Sequence, residues 1–259
     1  RSNPYNQSTF LVDLSRGSVD GIVFWTRNPE PFLDGFKWIK ERGYPFYIHY
    51  TITGYPRLLE PMVPPFSGSI RLFRDLSQKY GREAMVWRYD PLLFTSMTDK
   101  AFHFAQFRKI AESLEGCCNE VVISFATIYR KTRKGMDELG RKGGFQWWDP
   151  EDRQKILMAG ELSGIASEYG MTLSLCGQMH LIGPGVSDAS CIDPFRLSRI
   201  AGYPIRIPPK RSHRPGPGCG CYQSRDIGSY NTCGHGCVYC YAQTGRWRAS
   251  GDYPGQGGP

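Results

Sequence analysis

Phe46-Tyr47-Ile48-His49-Tyr50-Thr51-Ile52 is a nearly continuous run of aromatic and β-branched residues, and it ends at once in Thr53-Gly54-Tyr55-Pro56. Runs without polar alternation suit strands buried on both faces. The same grammar recurs along the chain. Residues 19–25 lead into Thr26-Arg27-Asn28-Pro29, residues 84–87 into Arg88-Tyr89-Asp90-Pro91, residues 121–125 into Ala126-Thr127, and residues 171–175 into Cys176-Gly177-Gln178. Helical patterns lie between these runs. Phe102, Phe107, Ile110, Ala111 and Leu114 fall on one stripe, and Ile156, Leu157, Ile165, Ala166 and Tyr169 on another. The second follows Asp149-Pro150-Glu151, which offers a cap, a first-turn proline and an acid. Residues 36–42 and 70–80 read as shorter helices. Strand alternating with helix predicts an α/β fold, read here as a parallel β/α barrel of the TIM type, probed by ligands at the carboxyl ends of its strands.

The chain has 259 residues, 40% of them hydrophobic and 22% charged, which excludes a disordered chain or a fibre. No apolar run approaches the ~18 residues of a membrane helix, so no membrane partner is expected. The net charge of +8 mildly favours an anionic ligand or nucleic acid. Nine cysteines cannot all pair internally, and five of them crowd into residues 219–240. With no secretory signal, this reads as metal binding in a reducing, cytoplasmic compartment. The chain begins at Arg1, which suggests a fragment.

The alternation stops after about Asp193. Residues 1–202 are therefore read as a barrel-like domain and 203–259 as a cysteine-rich segment packed on it, with a glycine-rich tail at 245–259 expected to be poorly ordered. Residues 203–218 carry Arg206, Lys210, Arg211 and Arg214 without an acid and read as a linker. Residues 130–142 form a second basic stretch. Both suit solvated surface, or else phosphate contacts. Residues 54–65 read as a loop over the mouth or a plain connector.

Cys233-Gly-His-Gly-Cys237-Val-Tyr-Cys240 has C-x3-C-x2-C spacing. Three thiolates can hold one face of a cubane cluster and leave one iron open, as a catalytic metal site requires. Gly234 and Gly236 suit a loop that bends tightly around inorganic sulfur. A structural zinc site with His213, His235 or Cys219 as fourth ligand is the bland alternative.

Asn231-Thr-Cys233-Gly-His-Gly-Cys237-Val-Tyr239-Cys240-Tyr-Ala resembles the cluster loop of radical S-adenosylmethionine enzymes, with Tyr239 as the aromatic residue before the last cysteine. The resemblance implies a 4Fe-4S cluster on Cys233, Cys237 and Cys240, chelation of its open iron by S-adenosylmethionine, and reductive release of a 5′-deoxyadenosyl radical. It also implies an electron donor such as flavodoxin or ferredoxin. Phe24-Trp-Thr-Arg-Asn-Pro29, Thr51-Ile-Thr-Gly-Tyr55, Trp87-Arg-Tyr-Asp-Pro91, Val122-Ile-Ser-Phe125 and Cys219-Gly-Cys221 together resemble one family catalogued as a domain of unknown function and noted for a C-terminal cysteine cluster of this kind. More distantly the chain is similar to spore photoproduct lyase, which makes nucleic acid a candidate substrate beside small molecules.

Two features depart from the pattern. The cysteine loop comes last, so the barrel is expected to be circularly permuted, with residues 227–230 as the strand feeding the loop. An N-terminal Arg-Arg-Thr-Asp strand of the family is missing, which again suggests truncation and a partial barrel. Cys176, Cys191, Cys219 and Cys221 are read as a second site for an iron–sulfur cluster or zinc, or else as buried thiols; Cys176 and Cys191 have counterparts in the resembled family. Cys117 and Cys118 are read as packing. At the strand ends, Arg88 is the candidate for the S-adenosylmethionine carboxylate and Asp90 for ribose hydroxyls, with Tyr239 near the adenine. Thr26, Asn28, Thr53, Ser124 and Gln178 are the further candidates for hydrogen bonds to cofactor or substrate. The alternative function is a noncatalytic, metal-stabilised module that binds nucleic acid through its basic loops.

Overall fold

The computed structural model describes residues 11–211, 218–228 and 232–240. Its centre is a six-stranded sheet made of β1 (Ile22–Thr26), β2 (Phe46–Thr51), β3 (Met85–Leu92), β5 (Glu120–Phe125), β7 (Thr172–Leu175) and β8 (Ser187–Asp188), in that order and parallel throughout. A separate antiparallel pair joins β4 (Phe94–Thr95) to β6 (Trp147–Trp148). Among the described residues no pairing joins β8 back to β1, so the sheet is open where a closed barrel would have none of its edges free.

Each strand lies beside its predecessor. Right-handed crossovers put the connecting helices that reach the main core on one face. The core bears this geometry. Ile48, Tyr50, Trp87, Tyr89, Ile123, Leu173 and Leu175 point to one side of the sheet. There they pack with Phe36 and Ile39 of α1 (Leu33–Glu41), Phe73 and Leu76 of α2 (Phe66–Tyr80), Phe107 and Ile110 of α3 (Lys100–Ser113), and Met158 and Leu162 of α5 (Asp152–Glu168). Trp87 is fully buried and its indole N–H donates to the Ile52 carbonyl at 3.0 Å, which satisfies the one polar atom of the side chain. Residues of opposite parity, Tyr47, Val86 and Val122, face the other way and meet Leu197 of α6 (Pro194–Ala201).

Local chemistry sets the helix ends. The Asp99 carboxylate accepts from the Phe102 N–H at the start of α3, and Asp193 does the same for Phe195 ahead of Pro194 in α6. In α5 the cap is Glu151, reciprocally bonded with Gln154, rather than the expected Asp149 with Pro150.

Several expectations change. Leu157, placed on the buried stripe of α5, is 59% exposed. The strand expected over 84–87 runs on to Leu92, because Arg88, Tyr89 and Asp90 still pair or point within the sheet rather than ending it. The alternation runs one helix past Asp193, through α6. The basic stretch at 130–142 is a helix, α4 (Arg130–Gly143), anchored by buried Met136 and Leu139. Ile227 and Gly228 belong to no strand, while residues 229–231, His213 and the tail at 245–259 lie outside the described residues. Among the described residues no helix is long and apolar enough to cross a membrane.

Candidate functional site

The loop that carries Cys233, Cys237 and Cys240 rests on the segment that follows β2. The Val238 N–H donates to the Leu59 carbonyl at 3.1 Å and the Met62 N–H to the His235 carbonyl at 3.2 Å. The His235 Nδ1 meets the Met62 carbonyl at 3.2 Å. Residues 54–65 are therefore the seat of the cysteine loop. The Cys240 N–H donates to the Cys237 carbonyl at 3.0 Å, a turn that draws these two residues together.

Tyr239 is the anchor. It is buried against Tyr55, Leu59, Leu93 and Met136, with the Tyr55 ring edge-on at 6.1 Å. Its hydroxyl donates to the Glu60 carboxylate and accepts from Arg27 Nη2 at 2.6 Å. Arg27 Nη1 donates to Glu60 Oε1 at 2.7 Å and to Thr53 Oγ1 at 3.3 Å, and the Thr53 hydroxyl also faces Glu60 at 2.8 Å. A carboxylate 2% exposed is tolerable only because it is paired and hydrogen-bonded on several sides. Burial works against the Arg27 charge, but its contact with Tyr239 and its pairing with Glu60 outweigh it, so the guanidinium stays charged. Burial raises the Tyr239 hydroxyl well above the usual phenol range and keeps it neutral.

Burial likewise pushes the Cys237 thiol up to about 12; Arg27 pulls it back, and Glu60, Cys240 and Cys233 push it further. The three thiols are thus near enough to feel one another. Cys233 is exposed, and Cys237 and Cys240 are half-buried. Among the described residues no group of three or more His, Cys, Asp or Glu side chains has the spacing of a formed metal site.

A second network lies deeper on the face of the sheet away from the α1, α2, α3 and α5 layer. Arg88 forks onto Asp90, with Nε 3.0 Å and Nη2 2.5 Å from Oδ2, while its Nη1 donates to the Cys191 sulfur at 3.1 Å. The Ser124 hydroxyl donates to the other Asp90 oxygen. The Cys191 and Cys176 sulfurs share a hydrogen bond at 3.5 Å. Burial opposes the Arg88 charge, and Asp90 with the two thiols restores it. The two networks meet at residue 90, whose carbonyl accepts from Arg27 Nη2 at 3.4 Å.

The candidate residues therefore divide into three groups. Tyr239 and Thr53 join the cysteine loop to β1 and β2. Arg88, Asp90 and Ser124 join the inner thiols, and the guanidinium fork expected to receive a ligand carboxylate holds the carboxylate of Asp90. Thr26, Asn28 and Gln178 serve the backbone. Thr26 Oγ1 accepts from the Asn28 N–H at 3.0 Å and Asn28 Oδ1 from the Glu30 N–H at 3.2 Å, both within the turn after β1. The Gln178 amide pairs with both backbone groups of Phe125 at 2.8 and 3.1 Å.

The domain of unknown function DUF1848 matches residues 1–242. The chain belongs to the DUF1848 family. The match takes in the whole described sheet and the cysteine loop. No curated protein matches the chain.

In this DUF1848 chain the residues that sequence reasoning passed over are Arg27, Glu60 and Tyr55. Arg27 stands in the quoted strand-end motif between Thr26 and Asn28, and a charge placed directly at the end of an apolar strand was the available signal. Glu60 is an acid in a stretch of prolines and leucines, with nothing local to announce its burial. The Tyr55 hydroxyl donates to the Pro91 carbonyl at 2.7 Å and accepts from the Leu93 N–H at 3.0 Å, bracing the end of β3 under Tyr239.

Proposed function

We propose that the chain is a radical S-adenosylmethionine enzyme that binds a 4Fe-4S cluster through Cys233, Cys237 and Cys240 and cleaves S-adenosylmethionine reductively. One observation carries the reading: a three-thiol loop sits over strand ends, with Tyr239 beside the last cysteine buried in an Arg27–Glu60 network. The donor set fits the group. Three soft sulfur ligands lie within one short loop and none is deeply buried. When bound, the cluster supplies an open iron for the amino acid end of S-adenosylmethionine and an electron for its sulfonium.

The protein's part is positioning and electrostatics. Tyr239, clamped by Arg27 and Glu60, fixes where Cys240 stands. The Leu59 and Met62 backbone groups hold the two ends of the loop. Glu60 and Arg27 form a neutral pair, so the region stays able to accept an anionic cluster. The unbroken order of adjacent strands, with helices gathered on one face, supports reading the sheet as a segment of a circularly permuted β/α barrel. A cytoplasmic setting and a flavodoxin or ferredoxin donor follow from the chemistry, which needs a strong reductant and exclusion of oxygen. The substrate is a small molecule or a nucleic acid.

A second reading has an observation of its own. Arg130, Arg133, Lys134, Arg141 and Lys142 are exposed on α4, which packs through Met136 and Leu139 onto the core that holds Tyr239. A basic helix beside a metal-stabilised loop suits a noncatalytic module that binds nucleic acid. Anaerobic reconstitution with iron and sulfide, followed by dithionite and S-adenosylmethionine, separates the two. Brown protein yielding 5′-deoxyadenosine supports the enzyme. Colourless zinc protein that binds nucleic acid in a salt-dependent way supports the module.

A further inference from the structure

The second network holds a set of cysteines that the proposed cluster does not use. Cys176 follows β7, Cys191 lies in the segment after β8, and Cys221 belongs to the later Cys219-Gly220-Cys221 stretch. Cys176, Cys191 and Cys221 are about 5% exposed or less and share one core, with Cys219 packed against it. Free buried thiols behave as small hydrophobes and need no such company. These instead gather beside a buried guanidinium.

We infer that Cys176, Cys191, Cys219 and Cys221 form a metal site of their own, closing four thiolates on a single zinc ion. The spacing selects one ion over a cluster. Tetrahedral zinc with bonds of about 2.3 Å puts its sulfurs about 3.8 Å apart. The Cys176 and Cys191 sulfurs already stand 3.5 Å apart. A cubane would spread its thiolates over several irons and hold them much farther apart.

The surroundings are built to hold the sulfurs. The Cys191 carbonyl accepts from the Tyr47 hydroxyl at 3.0 Å and meets His49 Nε2 at 2.9 Å. The Cys176 N–H donates to the Ile123 carbonyl at 2.9 Å. The Cys221 carbonyl accepts from the Arg211 N–H at 3.0 Å, and the Ser190 hydroxyl donates to the Gly220 carbonyl at 3.0 Å, so the two cysteine-bearing segments are stitched together. Gly220 is required between its cysteines, since a Cβ there would fall 2.6 Å from the Asp188 carboxylate and 3.1 Å from the Ala189 carbonyl. Residues two apart in extended chain share a face, which lets Cys219 and Cys221 turn toward the same ion. The thiols together lack the spacing of a formed site, and rotation of Cys219 and Cys221 is the adjustment that zinc would draw out. Four thiolates on a divalent ion leave two negative charges in a buried place. The free edge of Arg88, whose other nitrogens hold Asp90, donates a hydrogen bond to the Cys191 sulfur and so offsets part of that charge.

The test uses the full chain with Cys233→Ala, Cys237→Ala and Cys240→Ala combined, so that any metal found belongs elsewhere. After reduction, zinc is measured per chain, and the metal-free protein is titrated with cobalt(II) while sulfur-to-cobalt absorption is followed. The expected result is about one zinc per chain and a tetrahedral thiolate cobalt spectrum. Adding Cys191→Ser removes both. Cys219→Ser, at a half-buried position that leaves the fold intact, weakens zinc by more than about 100-fold, whereas Cys117→Ser changes nothing. Absence of zinc and of the cobalt spectrum in the folded background variant overturns the site. So does zinc binding that survives Cys219→Ser unchanged, or iron with sulfide in place of zinc.

Discussion

Arg27 and Tyr239 stand 212 residues apart in the chain, and the guanidinium of the first donates to the phenol oxygen of the second at 2.6 Å. Through this bond the end of the first strand governs the position of the last cysteine. The third member, Glu60, closes the triangle from the segment after β2.

Removing Arg27 should cost more than removing the Tyr239 hydroxyl. Arg27→Leu leaves the Glu60 carboxylate buried without its cation, a loss of about 3–5 kcal/mol. Tyr239→Phe forfeits one charge-assisted hydrogen bond, about 1.5–3 kcal/mol. Urea unfolding of the two variants checks the order; equal midpoints would show that the network is not the anchor.

Single changes of Cys233, Cys237 or Cys240 to alanine should each strip most of the iron and sulfide from the reconstituted protein, with Cys117→Ala as the unaffected control. Elemental analysis decides. Full iron retention in all three would sink the assignment.

Arg88→Ala should act first on stability, by about 3–5 kcal/mol, because it strands Asp90 beside Ser124. Asp90→Ala in the same chain should recover part of that loss, giving a coupling of about 0.5–3 kcal/mol in a double-mutant cycle. A stable Arg88→Ala protein that loses only S-adenosylmethionine affinity would restore Arg88 to the role first expected of it.

Acid should weaken the fold through its buried histidines. His103 meets the Tyr89 hydroxyl at 3.0 Å and the Leu93 carbonyl at 3.1 Å, and burial pulls its pKa down to about 4. The unfolded chain, with an ordinary value near 6.5, binds the proton more readily, so stability is full above about pH 6.5 and falls as pH drops toward 4. The loss amounts to roughly 3 kcal/mol. His49, lowered by burial and then by Arg88, adds a slope of the same sign. Urea midpoints at pH 7 and pH 4.5 should differ, and His103→Gln should shrink the difference. An unchanged slope in that variant would remove His103 from the account.

The parallel strands were legible because five of the six announce themselves as apolar runs with polar endings. β8 was not, since Ser187 and Asp188 carry no strand signal and are paired only through Ser174 and Leu175 of β7. The C-x3-C-x2-C spacing of the cysteine loop was plain in the sequence. Its seat was not: the pairing of Arg27 with Glu60 is a product of crossover geometry that no local pattern records. Thr26, Asn28 and Gln178 bond backbone groups for a physical reason. Short polar side chains at strand ends meet unpaired backbone groups before they meet any ligand. Leu157 shows the converse, an apolar residue on a helical stripe that the packing of α5 leaves in solvent.

The strand order also matches the order of synthesis. Each new strand emerging from the ribosome finds its sheet neighbour already made, so the sheet can grow in one direction without waiting for distant partners. The cysteine loop is the exception. It docks beside the ends of β1 and β2 only after the strands between have been laid down, so its seat exists before its cysteines are made.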